Sequence, residues 1–258
     1  MKLRLLPSTF DGDGKASEKQ HFSSFVIDGC VAFDAGSLAF AANDFERENI
    51  RDVVLSHAHL DHIAGLPLFI DDLFSTLTEP IRVHAEGQVI ETLEKFIFNW
   101  TIYPRFSELT NRFGKVIEYH EFELGQPFPV KHLNVRALAV NHKVPSSGFI
   151  IDNGSATIAI TGDTAEMSEF WKEVNECASL SALLIECAFP NEFEELASIS
   201  HHLTPARLSA ELTKFRLTDI PIFAINIKPA NRDLVIDQLR SLKISGVEVL
   251  RPNREYDL

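Results

Sequence analysis

Residues 56 to 62 read Ser56-His57-Ala58-His59-Leu60-Asp61-His62, and the reading of the whole chain turns on them. They follow Arg51–Leu55, a short apolar run that reads as a buried strand, so the histidines fall where the chain leaves a sheet. Neutral imidazole and carboxylate are good ligands for Zn²⁺ and similar borderline ions. His57 and His59 alternate along an extended stretch and can share one ion. Asp61 and His62, beyond the turn, face a second position. The plainer alternative is a solvated polar loop after a strand, which does not account for so dense a run of metal-binding side chains.

So short a segment cannot close two metal sites, and two further strand ends offer candidates. Asn141-His142-Lys143 follows the apolar run Leu133–Val140, and Thr161-Gly162-Asp163-Thr164 follows Ala156–Ile160. Alone, His142 reads as a surface histidine. Alone, Asp163 reads as a helix cap, because Glu166 three residues on completes a capping-box pattern. With His57 to His62 in the same chain, both read as ligands.

The 258 residues carry 45% hydrophobic and 24% charged side chains, which excludes a disordered chain or a coiled coil. A formal charge of −13 repels nucleic-acid backbones, so a nucleic-acid partner is not expected. The apolar runs fall short of the roughly 20 residues that span a bilayer, so no membrane partner is expected either. The first residues, MKLRLLPSTFDGDGK, do not read as a secretory signal. Cys30, Cys177 and Cys187 make no disulfide framework. Both points fit a cytoplasmic protein.

No linker or repeat divides the chain, so residues 1–258 read as one domain. Strands are expected at Lys2–Leu6, His21–Ile27 and Cys30–Phe33, with Asp28-Gly29 as a hairpin turn. Ile81–His84 reads as a strand and Gly87–Phe98 as a helix. Further strands follow at Val116–Phe122, Leu133–Val140, Gly148–Ile151 and Thr157–Thr161. Helices near Ala165–Cys177, Pro205–Phe215 and Ala230–Leu242 then alternate with strands Ala182–Cys187, Ile222–Ile225 and Val247–Leu250. Two strand-rich halves, each carrying helices, imply sheets packed face to face with helices outside. Phe96–Leu109 is dense in aromatics and suits a wall on which a base stacks, a core segment or a homodimer interface. Asp71-Asp72 and Glu194-Glu195 read as solvated surface.

The HAHLDH motif, a lone His after a strand and then TGDT together resemble the metallo-β-lactamase superfamily. Asp34-Ala35-Gly36-Ser37 is similar to that superfamily's stretch after the first hairpin, where Asp34 gives structural support. The resemblance implies an α/β fold, a four-layer αββα sandwich with a dinuclear site at one edge of the sheets. Three segments are similar to the class II 3′,5′-cyclic-nucleotide phosphodiesterases: His57–Pro67, then Ile185-Glu186-Cys187-Ala188-Phe189-Pro190-Asn191, then His201-His202-Leu203-Thr204-Pro205 with Ile227-Lys228-Pro229. The resemblance implies His57, His59 and His142 on one ion, Asp61 and His62 on the other, and Asp163 bridging. Two divalent ions are implied, zinc foremost, with manganese or iron as alternatives. His202 is implied as general acid with Glu186 orienting it, and Asp61 is counted with them in the catalytic set.

One position departs from the pattern. Where the family carries a ligand histidine, this chain has Asn226, whose amide oxygen is a poorer zinc ligand. The expected activity is hydrolysis of a small anionic phosphodiester, opening 3′,5′-cyclic nucleotides to 5′-nucleotides by a metal-activated hydroxide. A ribonuclease Z-like RNA-processing enzyme is the alternative, though no basic arm is visible. A weakly active or non-catalytic metal-binding relative is another, because of Asn226.

Overall fold

A computed structural model describes every residue except Lys243 and Ser245. Sixteen strands are described. The first sheet contains β1 (Lys2–Leu5), β2 (Phe25–Ile27), β3 (Val31–Phe33), β4 (Asp52–Val54), β5 (Ile81–Ala85), β8 (Ile117–Glu121) and β16 (Glu255–Asp257). Its order is β16-β1-β2-β3-β4-β5-β8. The second contains β9 (Pro127–Val130), β10 (Leu133–Ala139), β11 (Ser147–Asp152), β12 (Thr157–Ile160), β13 (Leu180–Glu186), β14 (Ile222–Ile225) and β15 (Val247–Val249). Its order is β15-β14-β13-β12-β11-β10-β9. A small ribbon, β6 (Thr110–Asn111) with β7 (Gly114–Lys115), stands apart.

Each sheet is antiparallel over one half and parallel over the other. β3, β4, β5 and β8 run parallel in the first sheet, and β12, β13, β14 and β15 in the second. The Asp28-Gly29 turn joins β2 to β3 with φ of 48° and 68°, both left-handed, and with Cys30 makes a three-residue loop between the paired Ile27 and Val31.

Helices cover both outer faces. α1 (Leu38–Ala41), α2 (Asp44–Asn49), α3 (Leu60–Ile63), α4 (Gly65–Leu73) and α5 (Gly87–Thr92) belong to the first half. α6 (Glu169–Asn175), α7 (Glu194–Ser200), α8 (Pro205–Leu212) and α9 (Arg232–Ser241) belong to the second. The apolar side chains sort into three layers. Leu3, Phe25, Phe33 and Val54 meet Val135, Phe149, Ile158 and Leu184 between the sheets. Val53, Leu66, Phe69 and Val83 fill the first helix–sheet layer, and Leu183, Phe170, Leu208 and Val235 the second. The expected αββα sandwich is the observed one. Among the described residues no helix is long and apolar enough to cross a membrane.

Some expected elements differ in extent. Residues 21–24 are not part of the strand: Ser23 N–H donates instead to the Asp61 carbonyl, at 2.8 Å. The expected helix over 165–177 begins only at Glu169, because Ala165 N–H donates to the Asn141 carbonyl at 2.7 Å and fixes a loop there. Asp163 therefore does not cap a helix. Within Phe96–Leu109, Phe98 and Phe106 are buried in the first helix–sheet layer, so the core reading of those two rings holds.

Candidate metal centre

The carboxyl ends of parallel strands β4, β12, β13 and β14 all open at one edge of the sandwich, where open α/β sheets place their ligands. β4 runs into Ser56–His62, β12 into Thr161–Thr164, and β13 ends at Glu186. β14 is followed by Asn226, and β10 by Val140–His142.

The histidine-bearing turn is pinned at several points. Asp34 is almost wholly buried, accepts from Ser56 N–H at 2.8 Å and Ser56 Oγ–H at 2.9 Å, and lies 2.6 Å from His62 Nδ1. It thereby fixes the His62 ring, as a carboxylate behind a ligand histidine does. The His62 carbonyl accepts from Ala35 N–H at 2.7 Å. Gly36 lies under the same turn: a Cβ there would stand 2.0 Å from the Asp61 carbonyl oxygen, so only glycine lets the two backbones approach.

Three histidines converge from distant stretches. His57, His59 and His142 bring one ring nitrogen each within 4.8 Å of one another, and His57, His62 and Asp163 bring two ring nitrogens and a carboxylate oxygen equally close. A third group joins His142, Asp163 and His202. His142 Nδ1 donates to the His201 carbonyl at 3.1 Å, which leaves Nε2 to face His59 Nδ1 at 3.2 Å. His201 supplies that carbonyl from a left-handed backbone, φ 57°, at the end of α7, and its own ring turns to Asn141.

Burial, chiefly, holds the His57 imidazole well below its ordinary pKa, and the neighbouring His62 adds to this. Burial likewise lowers His142 to about 4, against the pull of Asp163. Both rings are therefore neutral at pH 7, the form that binds metal. His57 Nε2 is a fully buried nitrogen with no hydrogen-bond partner. Such an atom normally has one, and a cation among three imidazoles and Asp163 would satisfy it. This position fits a divalent ion.

The neighbouring position fits one less well. Asp61 Oδ2 accepts from Lys228 Nζ at 2.9 Å. Asn226, at φ 57°, turns its amide N–H rather than its oxygen toward Asp163, 2.5 Å from Oδ1. Burial opposes the Lys228 charge, but Asp163 and Asp61 raise its pKa, so the ammonium persists.

Beside the cluster, the His202 ring centroid lies 5.0 Å from that of His142. His202 Nδ1 is hydrogen-bonded to Glu186 Oε1, and Glu186 Oε2 accepts from Leu203 N–H at 2.7 Å. Glu186 is completely buried. Burial works against a charged His202, but the Glu186 bond lifts its pKa above the ordinary value. The turn between α7 and α8 fixes the ring: His202 N–H donates to the Ala197 carbonyl at 2.8 Å.

All nine residues singled out from the sequence lie at this edge. Asp61 and Asn226 face Lys228 and Asp163, respectively, instead of joining the histidine group. Lys228 was visible in sequence only as part of Ile227-Lys228-Pro229. Its closeness to Asp61, 167 residues away, emerges only when β14 is laid beside β13 and the two sheets are stacked.

Two sheets with a His/Asp cluster at their common edge define the metallo-hydrolase fold. A family model described as the beta-lactamase superfamily domain matches residues 25–216, and the chain belongs to this superfamily. A probable 3′,5′-cyclic-nucleotide phosphodiesterase of Yersinia pestis is 25% identical, covering 94% of this chain and 76% of the relative. A nuclear ribonuclease Z of Triticum aestivum is 28% identical over 54% of this chain and 81% of its own length. The crystal structure of unliganded yeast PDE1 shares the fold, with a TM-score of 0.78, 16% identity, and coverage of 100% of this chain and 99% of that one.

Proposed function

We propose that this chain is a metal-dependent phosphodiesterase that opens 3′,5′-cyclic nucleotides to 5′-nucleotides. The observation that carries the reading is the buried Glu186–His202 pair, set directly against the His57, His59 and His142 group. A thioester hydrolase has less need of a proton donor held at this point, because a thiolate leaves without one. A cyclic phosphodiester must expel a ribose alkoxide, a poor leaving group unless protonated. The similarity to the Yersinia pestis phosphodiesterase points the same way.

His57, His59, His142 and Asp163 would hold the ion, and an imidazole-rich set of this kind suits zinc. When bound, such an ion polarises phosphoryl oxygens and lowers the pKa of water to about 7. The rest is the work of the chain's own side chains. Glu186 holds the His202 Nδ1 proton, so His202 presents its other nitrogen to the leaving oxygen and donates a proton there. Asp34 and the His201 carbonyl keep the His62 and His142 rings in register. Lys228 adds positive charge for the phosphate monoanion inside an otherwise acidic protein.

The test is turnover of cAMP and cGMP to the 5′-nucleotides by purified protein, with chelator and with added Zn²⁺ or Mn²⁺. Metal-dependent release of 5′-AMP or 5′-GMP is expected. Trimming of a tRNA precursor without cyclic-nucleotide turnover would replace this reading with the ribonuclease Z one.

A further inference from the structure

The second cation position is already taken up by this chain's own side chains. Asp61 and Asp163 are the two carboxylates that could serve an ion there. Each is engaged by a donor: Asp61 Oδ2 by the Lys228 ammonium at 2.9 Å, Asp163 Oδ1 by the Asn226 amide N–H at 2.5 Å. The carboxylate sets the Asn226 orientation, since an amide oxygen turned toward Asp163 Oδ1 would set two acceptors against each other. Lys228 and Asn226 sit two residues apart just after β14, and both line the pocket that opens beside Asp61 and His62.

We infer that the centre holds a single divalent ion, on His57, His59, His142 and Asp163, and that the Lys228 ammonium, anchored by Asp61, takes the place of a second ion and receives a phosphoryl oxygen of the substrate. The charges agree with this. One ion and Lys228 give three positive charges against Asp61 and Asp163, leaving one positive charge for a phosphodiester monoanion. A second divalent ion would meet the ammonium at close range, with an amide in place of an imidazole to hold it. The inference rests on the metal-dependent reading above.

The experiment counts ions. The whole chain is saturated with Zn²⁺, desalted into metal-free buffer and analysed by plasma mass spectrometry, beside a variant carrying Asn226→His and Lys228→Met. About one Zn²⁺ per chain is expected in the wild type and about two in the double variant. Two in the wild type overturn this inference and leave the proposed function standing, whereas none overturns the metal reading itself. A double variant that is folded by circular dichroism and keeps its first ion, yet takes up no second, also overturns it. Lys228→Met alone is expected to keep one ion and raise the KM for cAMP roughly tenfold, as loss of a charged phosphate contact does. An unchanged KM would remove the ammonium's role toward substrate.

Discussion

Replacing Glu186 by Gln tests the proton donor without emptying the space it fills. The carboxylate has two tasks: Oε1 bonds His202 Nδ1 and Oε2 accepts from Leu203 N–H at 2.7 Å. A Gln amide cannot do both. If its oxygen keeps the Leu203 N–H, its NH₂ meets Nδ1 and drives the His202 proton to the other nitrogen, the wrong tautomer for a charged donor. If its oxygen faces His202 instead, two N–H groups oppose each other in a fully buried place. Either arrangement destabilises by about 1–3 kcal/mol, or about 2–4 °C in Tm for each kcal/mol at this chain length. Loss of the buried charge also removes the support that lifts the His202 pKa. General-acid assistance contributes about 10²–10⁴-fold, or about 3–5 kcal/mol of barrier. Turnover of cAMP should fall by that factor, while bis(p-nitrophenyl) phosphate, whose leaving group departs without a proton, should lose far less. Equal losses on both substrates, or a parallel loss of bound metal, would refute the assignment.

Other outcomes follow from the same geometry. Asp34→Asn disturbs Ser56, whose hydroxyl bonds Asp34 and lies 3.0 Å from Nδ1 of the ligand His57, and should weaken metal binding about 10–100-fold, measured by competition with a chromogenic chelator. Gly36→Ala brings a Cβ to 2.0 Å from the Asp61 carbonyl, so the turn must shift; a lowered Tm and weakened metal binding are expected, and an unchanged melting curve would contradict the close approach. Asp52 is buried, and although burial opposes its charge, Arg82 and His84 hold its carboxyl below the ordinary 3.8. Because the folded value is the lower one, its stabilisation is present above about pH 4 and fades as the pH falls further. The stability gap between wild type and Asp52→Asn should therefore narrow under acid in chemical denaturation.

The sequence made some of this legible and hid the rest for identifiable reasons. His57 to His62 are adjacent in the chain, so their purpose is local information. His142 and Asp163 could be suspected because each follows an apolar strand, and active sites gather at strand ends. β9 was not anticipated because Pro127 and Pro129 argue against a strand, and proline is tolerated here only because β9 is the edge of its sheet. β16 is three residues long and stabilised by pairing with β1 at the opposite end of the chain, which no local pattern announces. The Asp61–Lys228 contact was equally invisible, since it depends on how the two sheets are stacked, and the Asn226–Asp163 contact depends on β12 and β14 lying two places apart in the second sheet.

Because His57 and His59 come from the first sheet's half, and His142 and Asp163 from the second's, a bound ion is a clasp across the sandwich. Its grip is then a gauge of how the halves meet. A substitution at the Phe33–Phe149 contact, where rings from opposite sheets lie 5.4 Å apart, would loosen the clasp with every coordinating side chain intact. Release of a bound ion would thus report on wear in the interior before unfolding is detectable.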